Sequence, residues 1–272
     1  MDREIFNFFT GLVEKASGIS YQVGKEYLLE SRLRELAISL GYRDLKDFYE
    51  SIRKNLKPQV LNQIIDTLTT NETYFFRDQH PFETIKKNIL PDLFQKRCQE
   101  KIVKIWSAAC STGQEPYSIS LLILEYFSNY LSNYRVSIYA TDISESSLKK
   151  AREGIYNQIE VNRGLPVTFL IKYFKQDGGN WRIDERVRNL VKFEFLNLLD
   201  VSTKVREKFD LILCRYVLIY FSKDVKNRVF QSLWNILNKG GYFILGATEI
   251  PPLNMPDMEK KIFGNTVVYY KS

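Results

Sequence analysis

Three features of this sequence have residue types and spacing that could do chemistry: the run of small residues after Ile105, an acid at position 142, and an arginine at position 77. Between Ile105 and Ser118 the residues Ala108, Ala109, Ser111 and Gly113 put little side chain over the main chain. A small molecule could therefore approach the backbone at the carboxyl end of a strand, where open α/β sheets place their ligands. No three-glycine dinucleotide pattern and no Gly-Lys-Ser/Thr is present, which argues against nucleoside-triphosphate chemistry. Asp142 closes the next predicted strand, where a carboxylate can accept hydrogen bonds from both hydroxyls of a ribose; capping the helix that starts near Ser144 is the competing reading. Arg77 can grip a carboxylate bidentately or simply pair with Asp78 or a surface acid.

These residues need elements to hold them. Lys101 to Trp106 reads as a buried strand and Glu115 to Tyr126 as a helix that tolerates Pro116 in its first turn. Arg135 to Ala140 is the second strand. Further strands are expected at Phe193–Leu196, Phe209–Cys214, Tyr242–Gly246 and Thr266–Tyr270, with a helix over Lys223–Leu237 and a turn at Gly240-Gly241. The alternation predicts an α/β fold: a doubly wound, mostly parallel sheet with an antiparallel edge.

Before the sheet, apolar residues recur at helical spacing in four short segments, which predicts a small N-terminal all-helical domain over residues 1–70. Gly18 and Gly41 end the first two helices, Asp44 caps the third and Pro58 opens the fourth. The stretch Asn71-Glu-Thr-Tyr-Phe-Phe-Arg-Asp is too rich in polar and aromatic groups for a plain linker. It is expected to lie against the second domain, residues 71–272, and lend side chains to its site. Within that domain a small antiparallel β insertion is predicted at about 165–192, with Val167–Phe174 helical, Asp177–Asn180 a turn, and Trp181–Ile183 paired with Val187–Phe195.

Composition narrows the partners. The net charge is +7, and because the first 75 residues are nearly neutral the positive field belongs to the remainder. Such a balance suits an acidic protein, a membrane surface or nucleic acid, but no long lysine or arginine run favours the last. Cys98, Cys110 and Cys214 have no zinc spacing and His80 is the single histidine, so a reduced, cytoplasmic, metal-free protein is expected. With no signal peptide and no apolar run of membrane-spanning length, direct membrane insertion is not expected.

Four motifs in order, Asn71–Arg77, Trp106–Ser118, Ala-Thr-Asp-Ile at 140–143 and Cys-Arg-Tyr-Val-Leu-Ile-Tyr-Phe at 214–221, resemble those of the CheR family over nearly the whole chain. These are S-adenosylmethionine-dependent methyltransferases of the class I fold that esterify receptor glutamates in bacterial chemotaxis. The resemblance implies S-adenosylmethionine as cofactor, S-adenosylhomocysteine as product and no metal. It places Asn71, Thr73, Arg77, Glu115, Asp142, Asn197, Leu198, Arg215 and Tyr216 around the cofactor, although the family usually has asparagine where Tyr216 stands. Arg77 and Tyr220 are the candidates for holding the incoming carboxylate, with core packing the competing reading for Tyr220. The substrate implied is the acidic helical cytoplasmic domain of a chemoreceptor, met by a monomer.

Arg32 and Arg34, with Lys25 before them, are the candidate docking charges on the second helix. Their ordinary reading is a solvated face salt-bridged to Glu26, Glu30 and Glu35. The compact turn at Asp177–Asn180 points to a member that does not need a receptor-tail tether on the β insertion. Two other functions remain to be weighed. A nucleic-acid methyltransferase would show Asp/Asn-Pro-Pro-Tyr/Phe where this chain reads Cys214-Arg215-Tyr216-Val217, and Cys214 is better read as a buried structural thiol than as a nucleophile. A non-catalytic S-adenosylmethionine or S-adenosylhomocysteine-binding adaptor is hinted at only by Tyr216.

Overall fold

The computed structural model describes residues 2–21, 24 and 26–272. Helix α1 (Arg3–Ser17) begins where the Asp2 carboxylate accepts the Glu4 N–H at 2.8 Å and ends at Gly18. Then come α2 (Glu26–Ser39), α3 (Leu45–Lys54), capped by Asp44, and α4 (Pro58–Leu68), with its proline in the first turn. Their apolar stripes converge on Phe9, Leu33, Phe48, Ile64 and Leu68. Burying each such side chain contributes roughly 1.5–3 kcal/mol, which is what keeps four short helices together.

Residues 71–79 take no regular structure and lie against the second unit. Phe75 and Phe76 are buried, and the Phe76 N–H donates to Ser118 Oγ at 2.9 Å. After α5 (His80–Thr84) and α6 (Leu90–Lys96), separated by a wide helical turn at Ile85–Ile89, the α/β unit begins with β1 (Ile102–Ala108), α7 (Gln114–Tyr126), β2 (Arg135–Asp142) and α8 (Glu145–Glu153). A small excursion follows: β3 (Ile155–Asn157), α9 (Gln158–Asn162), α10 (Val167–Tyr173), β4 (Phe174–Asp177) and β5 (Asn180–Ile183). The main sheet resumes through α11 (Glu185–Arg188), β6 (Val191–Phe195), α12 (Val201–Lys204), β7 (Phe209–Cys214), α13 (Lys223–Asn235), β8 (Leu237–Leu245), β9 (Met258–Phe263) and β10 (Thr266–Lys271).

The main sheet has the order β6-β2-β1-β7-β8-β10-β9, parallel from β6 to β8, with β10 antiparallel to both of its neighbours. Register matters for function. Ile105 pairs with Ile138 and Ala108 with Thr141, so the loop after β1 and the acid at the end of β2 emerge side by side. Among the described residues no helix is long and apolar enough to cross a membrane.

Three expectations need correction. Trp181–Ile183 does not pair with Val187–Phe195. Strand β5 pairs with β3 and β4 in a three-stranded antiparallel sheet, Asp184 caps the short α11 by accepting the Arg186 N–H, and β6 joins the main sheet beside β2. Alternating apolar residues identify a strand but not the sheet it joins. The antiparallel excursion takes β4 and β5 from within the expected 165–192, but its third strand, β3 at 155–157, comes from before it. Likewise Gly240-Gly241 is no turn: both lie inside β8, where the register against β7 shifts between Phe209 and Leu211.

One glycine locks the linker onto this excursion. A Cβ on Gly164, at φ +83°, would lie 2.0 Å from the Phe75 carbonyl oxygen. Gly164→Ala therefore adds a backbone clash to the ~1–2 kcal/mol cost of a left-handed residue. Gly178, at φ +59° with nothing within 4 Å, isolates the conformational cost. Urea unfolding is expected to show Gly164→Ala losing clearly more stability than Gly178→Ala; equal losses would mean that the linker is not held there.

Candidate functional site

At the carboxyl ends of β1, β2 and β7 lies a concave cleft, the setting in which small-molecule sites are usually found. Its wall is shared by the linker, the loops after those strands and the end of α1. Asn71, Thr73, Arg77, Glu115, Asp142, Asn197, Leu198, Arg215, Tyr216 and Tyr220 all line it.

The loop after β1 is built to bring backbone close. Ala109 (φ 66°) and Ser111 (φ 50°) are left-handed without being glycine, and Gly113 (φ 91°) starts α7 where a Cβ would lie 2.9 Å from that of Ala151. Every other left-handed non-glycine residue among those described, apart from Lys101, lies in the linker or directly after β7: Phe76, Asp78, Gln79 and Tyr216. Backbone strain is thus concentrated around the cleft, as at sites whose surroundings over-determine an unfavourable conformation.

Asp142 does not cap α8. Ser144 does, accepting the Ser147 N–H at 3.1 Å, while Asp142 Oδ2 accepts the Ser111 N–H at 2.7 Å and Oδ1 the Ser144 N–H at 2.9 Å. Each carboxylate oxygen is anchored once and keeps acceptor capacity. Burial pushes the Asp142 carboxyl above its ordinary pKa, and the backbone N–H groups only partly offset this.

Glu115 and Arg215 form the cleft's buried ion pair. Arg215 Nη1 lies 2.9 Å from Glu115 Oε2, and its Nη2 lies 2.6 Å from Asp78 Oδ2 and 2.9 Å from the Arg77 carbonyl. Ser107 Oγ donates to the other Glu115 oxygen at 2.7 Å. Burial disfavours the Arg215 charge, but Glu115 and Asp78 outweigh it and raise its pKa. Asp78 is therefore the partner of Arg215, not of Arg77. Arg77 instead donates to the Glu72 carbonyl at 2.6 Å and lays its guanidinium 3.9 Å over the Tyr216 ring.

Asn197 caps a single helical turn by accepting the Leu199 N–H at 3.0 Å, and its amide donates to the Ala16 carbonyl at 2.7 Å, tying α1 to the cleft. Asn71 offers its carbonyl to Ser111 Oγ at 2.8 Å. Tyr220 is half-buried on the short turn Leu218–Tyr220 at the cleft wall, not in the core. Its carbonyl accepts the Ser20 N–H at 2.8 Å.

Two candidates fall outside the cleft. Arg32 donates to the Thr69 carbonyl at 3.2 Å, at the C-terminal end of α4, so it serves the end of a helix, not a salt-bridged face. Arg34 pairs with Glu30 at 2.8 Å, as its ordinary reading expects. Lys25 lies outside the described residues. Sequence reasoning missed Glu249, whose Oε2 accepts both the Tyr216 and the Gly246 N–H groups, at 2.6 and 2.9 Å. Its one signal was an acid following a strand end. Cys214 is buried, and burial pushes its thiol well up, which removes it as a nucleophile at neutral pH.

Residues 71–268 match the family described as CheR methyltransferase, SAM binding domain, and residues 4–69 match its all-alpha domain. The chain belongs to the CheR methyltransferase family. It is 38% identical to chemotaxis protein methyltransferase 1 of Pseudomonas aeruginosa, over 98% of this chain and 97% of that one. Chemotaxis protein methyltransferase Cher2 of Pseudomonas putida is also 38% identical, over 90% and 89%, and the chemotaxis protein methyltransferase of Borreliella burgdorferi 37%, over 85% and 83%. Membership makes the larger unit a class I S-adenosylmethionine-dependent methyltransferase fold, and its companion the all-helical unit of this CheR protein.

Proposed function

We propose that the chain methylates glutamate carboxylates on the acidic helical cytoplasmic domain of chemoreceptors, acting as a monomer in the cytoplasm and using S-adenosylmethionine. The observation that carries this reading is the single cleft lined by both a buried carboxylate, Asp142, and an arginine, Arg77, whose guanidinium hydrogen-bonds a carbonyl, that of Glu72. The residues fit the cofactor: Asp142 keeps acceptor capacity on both oxygens for a ribose, and the small residues of the first loop let a ligand reach the main chain. Asn71, Thr73, Glu115, Asn197, Leu198, Arg215 and Tyr216 complete the enclosure. When bound, S-adenosylmethionine supplies an electrophilic methyl group on a sulfonium.

The chain's own part is placement. A glutamate side chain, with a pKa near 4.3, is already ionised at neutral pH, so no general base is required. Arg77 and Tyr220 orient that carboxylate, and the apolar wall of Ile143, Leu198, Val217 and Phe221 strips water from it. Division of labour between residues 1–70 and 71–272 is supported by the separate apolar core of the helices. Arg32 and Arg34 lie on α2 as docking charges for the acidic receptor helix.

The test is transfer itself. Full-length chain, S-adenosylmethionine tritiated in its methyl group and an isolated receptor cytoplasmic domain are expected to give protein-bound label that mild base releases as methanol. Base-stable label, transfer to RNA instead, or cofactor binding without transfer would each overturn the reading.

A further inference from the structure

Tyr216 is held more firmly than its own packing requires. Its backbone is left-handed at φ 60°, a conformation costly for a bulky side chain, and three neighbours enforce it. Glu249 Oε2 accepts its N–H at 2.6 Å, Asp78 accepts its hydroxyl, and Gly246 leaves the space its ring fills, since a Cβ there would come within 2.9 Å of the ring. Asp78 is itself fixed by Arg215 at 2.6 Å. Burial, and then Asp78, push the Tyr216 hydroxyl above its ordinary pKa, so it stays a donor.

What lies on this fixed ring is Arg77, its guanidinium carbon 3.9 Å from the centroid, against 5.7 Å for the Tyr74 ring. The only hydrogen bond the guanidinium makes among the described residues goes to a carbonyl, that of Glu72, at 2.6 Å. Stacking uses the face of the guanidinium and leaves its N–H edge for an anion; an acid in place of the ring would occupy that edge.

We propose that Tyr216 is a positioning residue for Arg77: its ring, clamped by Glu249 and Asp78, is the shelf that fixes the guanidinium with its donor edge toward the incoming carboxylate. This rests on the reading of Arg77 under Proposed function. An asparagine at position 216 offers no such surface, so in this chain the orientation of Arg77 depends on an aromatic ring.

Tyr216→Leu removes the shelf and is expected to raise KM for the receptor domain about tenfold, between the size of an exposed and of a desolvated cation–π contact. Tyr216→Phe keeps the ring and is expected to regain most of that loss. In an Arg77→Ala background Tyr216→Leu should add almost nothing, because the residue acts through the arginine. An undiminished effect in that background, or no recovery by phenylalanine, would overturn the proposal. A second readout needs no turnover. The Arg77 Nε–H resonance of the full chain should move downfield on loss of ring shielding in Tyr216→Leu and stay near its original position in Tyr216→Phe. An unmoved resonance in Tyr216→Leu overturns the shelf. A chain that moves this resonance but transfers no methyl group overturns the proposed reaction and leaves the shelf standing.

Discussion

Asp142→Ala is expected to weaken binding of S-adenosylhomocysteine by about 10²- to 10⁴-fold. Two hydroxyl donors meeting a charged acceptor contribute roughly 1.5–3 kcal/mol each, and each 1.4 kcal/mol is a factor of ten. The same change orphans the Ser111 and Ser144 N–H groups, which Asp142 accepts at 2.7 and 2.9 Å, so stability falls as well. Titration calorimetry well below the variant's melting temperature separates the two effects. The pH dependence has a definite sign. Burial raises the carboxyl's pKa in the free protein, while hydroxyl donors favour the ionised form and lower it in the complex. Affinity therefore falls as the pH drops through the free-protein pKa, and Asp142→Asn flattens that dependence. A weakening of less than threefold in Asp142→Ala would remove the ribose role.

Arg215→Leu is expected to destabilise the fold by roughly 3–5 kcal/mol, the cost of leaving a buried charge unpaired. Its guanidinium side chain is 2% exposed and holds Glu115 and Asp78 together with the Arg77 carbonyl. Without it, Glu115 keeps only Ser107 Oγ. Replacing both charges, Arg215→Leu with Glu115→Leu, should recover part of the loss, because the uncompensated carboxylate is then gone. Urea denaturation of the two single variants and the double variant closes the cycle. Strict additivity would mean that the pair is not coupled in the folded state.

These two residues also mark what the chain reveals about itself before folding. Asp142 was legible because strand periodicity and the parallel order fix where a strand ends, and an acid there has few reasons to be buried. Arg215 was placed at the cleft, but its partners were not legible: Asp78 is 137 residues away in the chain, and no local pattern joins them. The competing reading of Arg77, a pair with Asp78, fails for the same reason, since adjacency in sequence says nothing about which way neighbouring side chains point. Tyr216 read only as a departure from the asparagine usual in the family. Only the fold brings its hydroxyl to Asp78 and its face to Arg77. Arg32 looked like one charge among acids, because the end of α4 that it serves is built from residues 35 and more positions later. The four N-terminal helices, by contrast, followed from local signals alone: apolar spacing, Asp44 as a cap, Gly18 as a stop and Pro58 as a start.

The most direct measurement is a crystal of the full chain soaked with S-adenosylhomocysteine. The account predicts density across the tips of β1 and β2, with the ribose hydroxyls within hydrogen-bond distance of both Asp142 oxygens and the sulfur side open toward Arg77 and Tyr220. Density seated anywhere else, with Asp142 still bonded only to Ser111 and Ser144, would contradict it.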